Sequence, residues 1–320
     1  MAEKLPILAQ QSEFEVIPLA AVDMLELQHL LNEEISAWRT ILEWDFRRTA
    51  ELIEQYAGSG LIPGLALRSE GRLIGYGYYL LRAELGAIGG IFGSPSRTDP
   101  AAVGAHIFML LFSQLLAISY CRRIEGQLFT LTHSWDNILE DVGLVPHQRF
   151  YMARDLNARA DKPPISVRSW ENDYLPAAAN LLFSAYQCHL DAEISVSYQS
   201  VKNCTEFLRN IIFMPGCGVF LTHGSAVCLD AGGELGAFIL LTRIGPHTAL
   251  IPQICVRPNL QGKGIGRSLI EYACACLRES GFRRVFLCVT GANEPARQLY
   301  LRHQFYDVQR FSAFYWDREK

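Results

Sequence analysis

The stretch "QICVRPNLQGKGIGRSLIEYACACLRES", residues 253–280, restricts the fold of this chain more than any other. An apolar run ends at Val256, turn-type residues follow, and glycines then occupy positions 262, 264 and 266 ahead of an amphipathic helical pattern. This is a strand, a glycine loop and a helix in direct succession. The first amides of a helix have no internal partner, and the helix dipole places partial positive charge on them. Glycine lets the main chain approach a ligand without a Cβ in the way. Lys263 and Arg267 add charge nearby, so the segment is built to hold a pyrophosphate. A Walker A loop needs Ser or Thr after the lysine, whereas Gly264 follows Lys263. The dinucleotide fingerprint G-x-G-x-x-G is not met either. What fits is Q-x-x-G-x-G, Gln261 through Gly266.

The order of predicted elements around this unit occurs twice. The second half reads as a short strand (165–168), helices over 174–190 and 201–213, a hairpin around Ala231-Gly232-Gly233, and a strand over 248–256. The glycine loop and its helix follow, then a strand (283–289), a short helix and a closing strand, "FYDVQRFSAFYW". The first half gives the same β-α-α-β-β-β-α-β-α-β order, ending in "RFYMARDL". The polar, Pro163-Pro164-containing segment between them reads as a linker. The expectation is a domain over 1–155, a linker over 156–164 and a domain over 165–320. Strands at the two domain ends are free to pair across the halves or between chains, so the oligomeric state stays open.

Composition excludes several classes. A net charge of -4 gives no basic field for nucleic acid. The apolar stretch 103–119 carries His106, Ser113 and Gln114 and is short for a membrane span, so it is expected to be a buried helix. The first residues lack a signal-peptide pattern, which points to a soluble, cytoplasmic protein. The nine cysteines include no C-x-x-C pair, so neither a metal site nor a disulfide is expected.

A second constellation is "VTGANEPARQLYLRHQF", residues 289–305. Asn293 fits a helix N-cap with Glu294 and Pro295 in the first turn, and Tyr300 lies two turns on along the same face. Here the chain resembles a known family. "VRPNLQGKGIGRSLI" is similar to motif A of the GNAT superfamily, the acetyl-CoA-dependent N-acetyltransferases, and Asn293, Ala296 and Tyr300 resemble its N-x-x-A-x-x-x-Y pattern. The resemblance implies two tandem GNAT-like α/β (α+β) domains, each a mixed, mainly antiparallel sheet flanked by helices. It implies that Gln261, Gly262, Lys263, Gly264, Ile265, Gly266 and Arg267 hold the pyrophosphate of acetyl-CoA as co-substrate. It also implies that the main chain of Ile254, Cys255 and Val256 pairs with pantetheine, that Asn293 reaches the same arm, and that Tyr300 serves the leaving thiolate.

The first half lacks Q-x-x-G-x-G, has Pro95 and Pro100 where amides would be needed, and has Leu139 near the Tyr300 position. It is expected to support the second half without catalysing, an arrangement similar to that of mycothiol synthases. The expected activity is acetyl transfer to a primary amine of a small molecule or peptide. A non-catalytic acyl-CoA-binding or sensing protein is the alternative, with a nucleotide-binding regulator behind it. Many family members carry a glutamate where this chain has Pro252, so the general base is open among His189, Asp191, Glu193 and His247.

Overall fold

The computed structural model describes residues 14–129, 134–156 and 166–318. Its contacts divide the chain into two units that interleave along the sequence. One holds 1–42, 46–148 and 311–320, and the other 43–45 and 149–310. Apart from Leu156, the linker over 156–164 lies outside the described residues.

The first unit contains β1 (Glu15–Pro18), α1 (Met24–Ile41), α2 (Arg47–Gly58), β2 (Gly64–Ser69), β3 (Arg72–Arg82), β4 (Leu85–Gly93), α3 (Pro100–Ala117), β5 (Arg123–Leu128) and α4 (Asp136–Asp141). β6 (His147–Asp155) follows. The second unit contains β7 (Arg168–Ser169), α5 (Leu175–Tyr186), α6 (Leu190–Ile194), α7 (Val201–Phe213), β8 (Val219–Phe220), β9 (Ala226–Leu229) and β10 (Leu235–Arg243). It continues with β11 (Thr248–Val256), α8 (Ile265–Glu279), β12 (Arg284–Thr290) and α9 (Glu294–Arg302), and β13 (Tyr306–Asp317) ends the series.

The two sheets have the same plan. β1 to β4 pair antiparallel in succession, and β4 pairs β5 in parallel. In the second unit β7, β9, β10 and β11 pair antiparallel in succession, and β11 pairs β12 in parallel. The sixth strand of each sheet comes from the other half of the sequence. β13, at the end of the chain, pairs antiparallel with β5, and β6 pairs antiparallel with β12. The end strands thus pair across the halves.

Packing fixes this exchange. Phe314 of β13 is fully buried in the first unit's core and meets Phe108 of α3 edge-on at 5.5 Å. Its strand partner is Gly126, where a Cβ would lie 2.4 Å from the Phe314 ring. A side chain at 126 would displace the ring, so this glycine sets the register of the pair. Met152 of β6 is likewise fully buried, in the core that α8 lays on the second sheet.

Helix α3 is long and apolar enough to span a membrane, yet it lays Val103, Ile107, Phe108, Leu111 and Leu115 on the first unit's core. Each sheet carries apolar packing on both faces, with α3 and α1/α2 in the first unit and α8 and α5/α7 in the second. Two predicted elements differ. The helix expected over 174–190 stops at Tyr186, because Cys188 adopts φ 61° and the chain restarts as α6 with His189 as its cap. The strand expected over 165–168 is the two residues of β7, and residue 165 lies outside the described residues.

Candidate acyl-CoA site of the second unit

Strands β11 and β12 run in register from Thr248/Arg284 to Ile251/Leu287 and then part, although β11 continues to Val256 and β12 to Thr290. The cause is a bulge. Between the pairs Thr242↔Leu250 and Leu240↔Gln253, β11 advances three residues while β10 advances two, so the extra residue falls at Ile251–Pro252. Proline suits a bulge because it has no N–H to leave unpaired. Pro252, which stands where the family glutamate was expected, is therefore explained by the split it helps to form.

Beyond the bulge, alternation decides which main-chain groups face the gap. The Arg257 amide bonds to Gly236 O on β10 at 2.9 Å, so residues 255 and 253 also address β10, while Ile254 and Val256 turn their N–H and C=O away from it. The Ile254 carbonyl accepts from Gln253 Nε2 at 3.1 Å and the Val256 carbonyl from Gln261 Nε2 at 3.1 Å. These are side-chain bonds that an added strand can replace. Cys255 differs from its neighbours: its main chain belongs to the β10 ladder and its thiol is buried in the core under α5 and α7.

The loop after β11 leads into α8 through Gly262 and Gly264, both in the left-handed region at φ 73° and 83°. Gly264 is the N-cap of α8, and no side chain caps the helix. The amides of Ile265, Gly266 and Arg267 are thus open to an external acceptor. Lys263 and Arg267 are exposed beside them. Gly266 leaves ordinary contact room for a Cβ, 3.6 Å from Val256 Cγ2, so its glycine is the least demanded of the three. The first unit has the same split, its parallel ladder ending at Ile88/Gly126. There, however, the Asp99 carboxylate accepts from the Ala101 amide at 3.0 Å and caps α3, with Pro100 in the first turn. The anion position at that helix is filled by the chain's own carboxylate.

Asn293 is the N-cap of α9, its Oδ1 accepting from the Ala296 amide at 3.3 Å. That use of the oxygen leaves the side-chain NH2 as a donor. Tyr300 is 7% exposed. Burial raises its phenol pKa above the ordinary value, and the nearby Asp191 charge adds to the rise, so the hydroxyl stays protonated at neutral pH.

Asp191, 6% exposed at the start of α6, accepts a hydrogen bond from Thr290 Oγ1 at the end of β12. His189 Nδ1 accepts from the Asp191 amide at 3.1 Å and lies 3.5 Å from its Oδ2. Next to them the Tyr186 and Tyr198 rings stack at 4.3 Å. Gln253 Nε2 donates to Tyr186 Oη at 3.2 Å. Of the candidate bases, Asp191 and His189 are brought to Tyr300's neighbourhood. Glu193 is exposed. His247 is exposed just ahead of Thr248, and seven residue steps of strand at ~3.3 Å each put it ~23 Å from Ile254. Sequence reasoning missed Tyr186, Tyr198, Thr290 and Arg149, the last being the residue opposite Thr290 in the β6/β12 register. The element order assigned Arg149 to the first half, and no local signal announced the exchange.

This geometry fits acetyl-CoA: an uncapped helix N-terminus for its diphosphate, and an open strand edge for its amide-bearing arm. Comparison with known proteins points the same way. The acetyltransferase (GNAT) family profile matches residues 190–305. Streptothricin acetyltransferase of Streptomyces lavendulae is 37% identical over 90 residues, 28% of this chain and 48% of that protein. Mycothiol acetyltransferase of Beutenbergia cavernae is 39% identical over 79 residues, 25% of this chain and 27% of that protein. The matches thus span about half or less of those relatives. Among solved structures, a GCN5-related N-acetyltransferase from Sphaerobacter thermophilus superposes with TM-score 0.71 at 13% identity, covering 97% of both chains. A tandem GNAT protein of the clavulanic acid biosynthesis pathway gives TM-score 0.55 at 17% identity, covering 96% of this chain and 99% of that one. The chain carries a GNAT-family domain over residues 190–305, and nearly its whole length has the fold of GNAT proteins.

Proposed function

We propose that this protein is an N-acetyltransferase that moves the acetyl group of acetyl-CoA to a primary amine in its second unit. The observation that carries the reading is the split of β11 from β12 beside an uncapped α8. Acetyl-CoA would supply a thioester as the activated acyl donor. The amides of Gly262 to Arg267, with Lys263 and Arg267, hold the diphosphate. Ile254 and Val256 offer main-chain pairing to the pantetheine arm, as a sheet edge does to an added strand, and the Asn293 side-chain NH2 donates to the same arm. Cys255 contributes packing rather than main-chain contact.

On the acceptor side, Asp191 attracts the incoming ammonium and, with His189, takes its proton, since only the neutral amine is a nucleophile. The gap-facing amide of Ile254 donates to the carbonyl oxygen as it gains charge. Tyr300 donates its hydroxyl hydrogen to the departing sulfur. The first unit, with Asp99 on its helix N-terminus and Leu139 buried in α4, has no acyl-CoA role in this reading.

The test is thiol release from acetyl-CoA over a panel of primary amines. Amine-dependent release that falls in Tyr300→Phe and Asp191→Asn supports the reading. Binding of acetyl-CoA without release for any amine would favour the alternative, a non-catalytic acyl-CoA-binding protein.

A further inference from the structure

Two glutamine side chains stand where the proposed pantetheine arm pairs. Ile254 and Val256 turn their carbonyls away from β10, and each carbonyl accepts from a side-chain amide, of Gln253 at 3.1 Å and of Gln261 at 3.1 Å. Pantetheine carries amide N–H groups along its own length. An arm that joins this edge as an added strand replaces the glutamines, one N–H for another.

The replacements differ in what they leave behind. Gln261 is exposed, and its displaced amide turns to water. Gln253 is 5% exposed. A side-chain amide has two hydrogens on nitrogen and an acceptor oxygen, and Gln253 engages both ends. Its Nε2 donates to Ile254 O and to Tyr186 Oη at 3.2 Å, and its Oε1 accepts from Tyr198 Oη at 3.5 Å. The Ile254 carbonyl only accepts, so the nitrogen and not the oxygen must face it. When the arm takes that carbonyl, the stacked Tyr186 and Tyr198 still hold the amide by their hydroxyls. Gln253 is then tethered, shielded from water and left with one N–H to place. A buried donor without an acceptor is costly, and the bound thioester brings an acceptor with it.

We infer that Gln253 is a catalytic residue: displaced from Ile254 by pantetheine, its N–H passes to the carbonyl oxygen of the bound thioester, beside the gap-facing amide of Ile254. This rests on the acetyltransferase reading above. The N–H and C=O of one strand residue leave on the same side, so a donor seated on Ile254 O neighbours any oxygen held by Ile254 N. As the amine nitrogen bonds to the carbonyl carbon, the C=O electron pair moves onto oxygen, and two N–H groups meet that charge instead of one. The amine's proton goes to Asp191 and His189. On collapse the C–S bond breaks, and sulfur leaves with the electron pair and takes the Tyr300 hydrogen. Gln253 gives up no proton. Its donor is released only once the arm has arrived, so the unliganded edge stays satisfied and the liganded one is armed.

The experiment reads the carbonyl itself, by infrared spectroscopy of acetyl-CoA with an isotope-labelled thioester carbonyl, bound to the full chain without any amine. Gln253→Met keeps the length of the side chain and removes the donor. Gln253→Asn keeps the amide and withdraws it by one methylene. The expected result is a carbonyl stretch at lower frequency in the wild type than in either variant. Binding calorimetry with the adenine nucleotide part of CoA, which lacks pantetheine, gives equal affinities for all three proteins when the variants are folded. In thiol release with an amine that the wild type uses, both variants lose kcat by about a hundredfold, with no rise in KM for acetyl-CoA.

The same carbonyl frequency in the wild type and in the variants, with acetyl-CoA bound to each, overturns the inference and leaves the acyl-CoA site standing. Undiminished kcat in Gln253→Met or Gln253→Asn overturns it as well. Failure of the wild type to bind acetyl-CoA at all removes the acetyltransferase reading, and the role of Gln253 with it.

Discussion

Position 264 separates charge from backbone at the proposed diphosphate site. Gly264 sits at φ 83°, ψ -1° as the N-cap of α8, and a Cβ there would meet no heavy atom within 4 Å. Gly264→Ala therefore introduces no clash and costs only left-handed strain, about 1 kcal/mol. Gly264→Asp tolerates the same conformation better, and its carboxylate favours a helix N-terminus by ~0.3–1 kcal/mol, so its unliganded fold is at least as stable as that of the Ala variant. Toward acetyl-CoA the two diverge, because Asp places a negative charge against the incoming diphosphate. At this exposed site the repulsion is about 2 kcal/mol after solvent screening, a loss of ~30-fold in affinity. At a concentration ~100 times the wild-type Kd, acetyl-CoA stabilises the wild type by ~2.7 kcal/mol and the Asp variant, now at ~3 times its Kd, by ~0.9 kcal/mol. For a unit of this size that is a rise in Tm of ~5–11 °C against ~2–4 °C. Thermal unfolding with and without acetyl-CoA measures it, and the Ala variant is expected to keep most of the wild-type shift. If Ala and Asp both fold and respond alike, charge at the α8 N-terminus is irrelevant and the diphosphate lies elsewhere.

Tyr300→Phe removes only a hydroxyl from a packed ring and is expected to lower kcat by ~100-fold with little change in the KM for acetyl-CoA; an equal kcat would remove Tyr300 from the chemistry. Asp99→Ala takes the cap from α3 and should cost ~1 kcal/mol in denaturant titration without creating a second acetyl-CoA equivalent in calorimetry. In the first unit, Glu34 is buried, accepts from Tyr76 Oη and from Trp38 Nε1 at 3.1 Å, and has its carboxyl pushed up from 4.5 to about 7, chiefly by burial. The folded state then holds this proton where the unfolded chain has lost it. Its stabilising contribution is complete below about pH 4.5 and declines as pH rises through about 7, by about 3 kcal/mol in all. Glu34→Gln should flatten that decline in pH-dependent unfolding, and an unchanged profile would show that Glu34 is not its source.

What the sequence revealed and what it hid follow the range of the interactions involved. α7 begins and ends where its apolar spacing predicts, at Val201 and Phe213, and β11 does so at Thr248 and Val256. Local signals governed both: the Ser200 cap for the helix, and a β-branched and apolar run ended by Arg257-Pro258 for the strand. Asn293 was legible as a cap because capping is decided within four residues. The placement of Asp191 and of Arg149 was not legible, because each depends on a partner about a hundred or more positions away: Thr290 for Asp191 by hydrogen bond, and Thr290 again for Arg149 by strand register. The destination of β13 was hidden for the same reason. Its aromatic-rich run, with 311–314 buried in succession, specifies a strand covered on both faces, and such a strand satisfies its main chain beside β12 or beside β5. What distinguishes the two is the fit of particular surfaces. Phe314 needs Gly126 opposite it and Phe108 beneath it, and both belong to the first unit. Periodicity therefore names the strands of each sheet, while a glycine and two rings decide which sheet receives the last one. That decision carries β6, and with it Arg149, into the sheet that splits at Pro252.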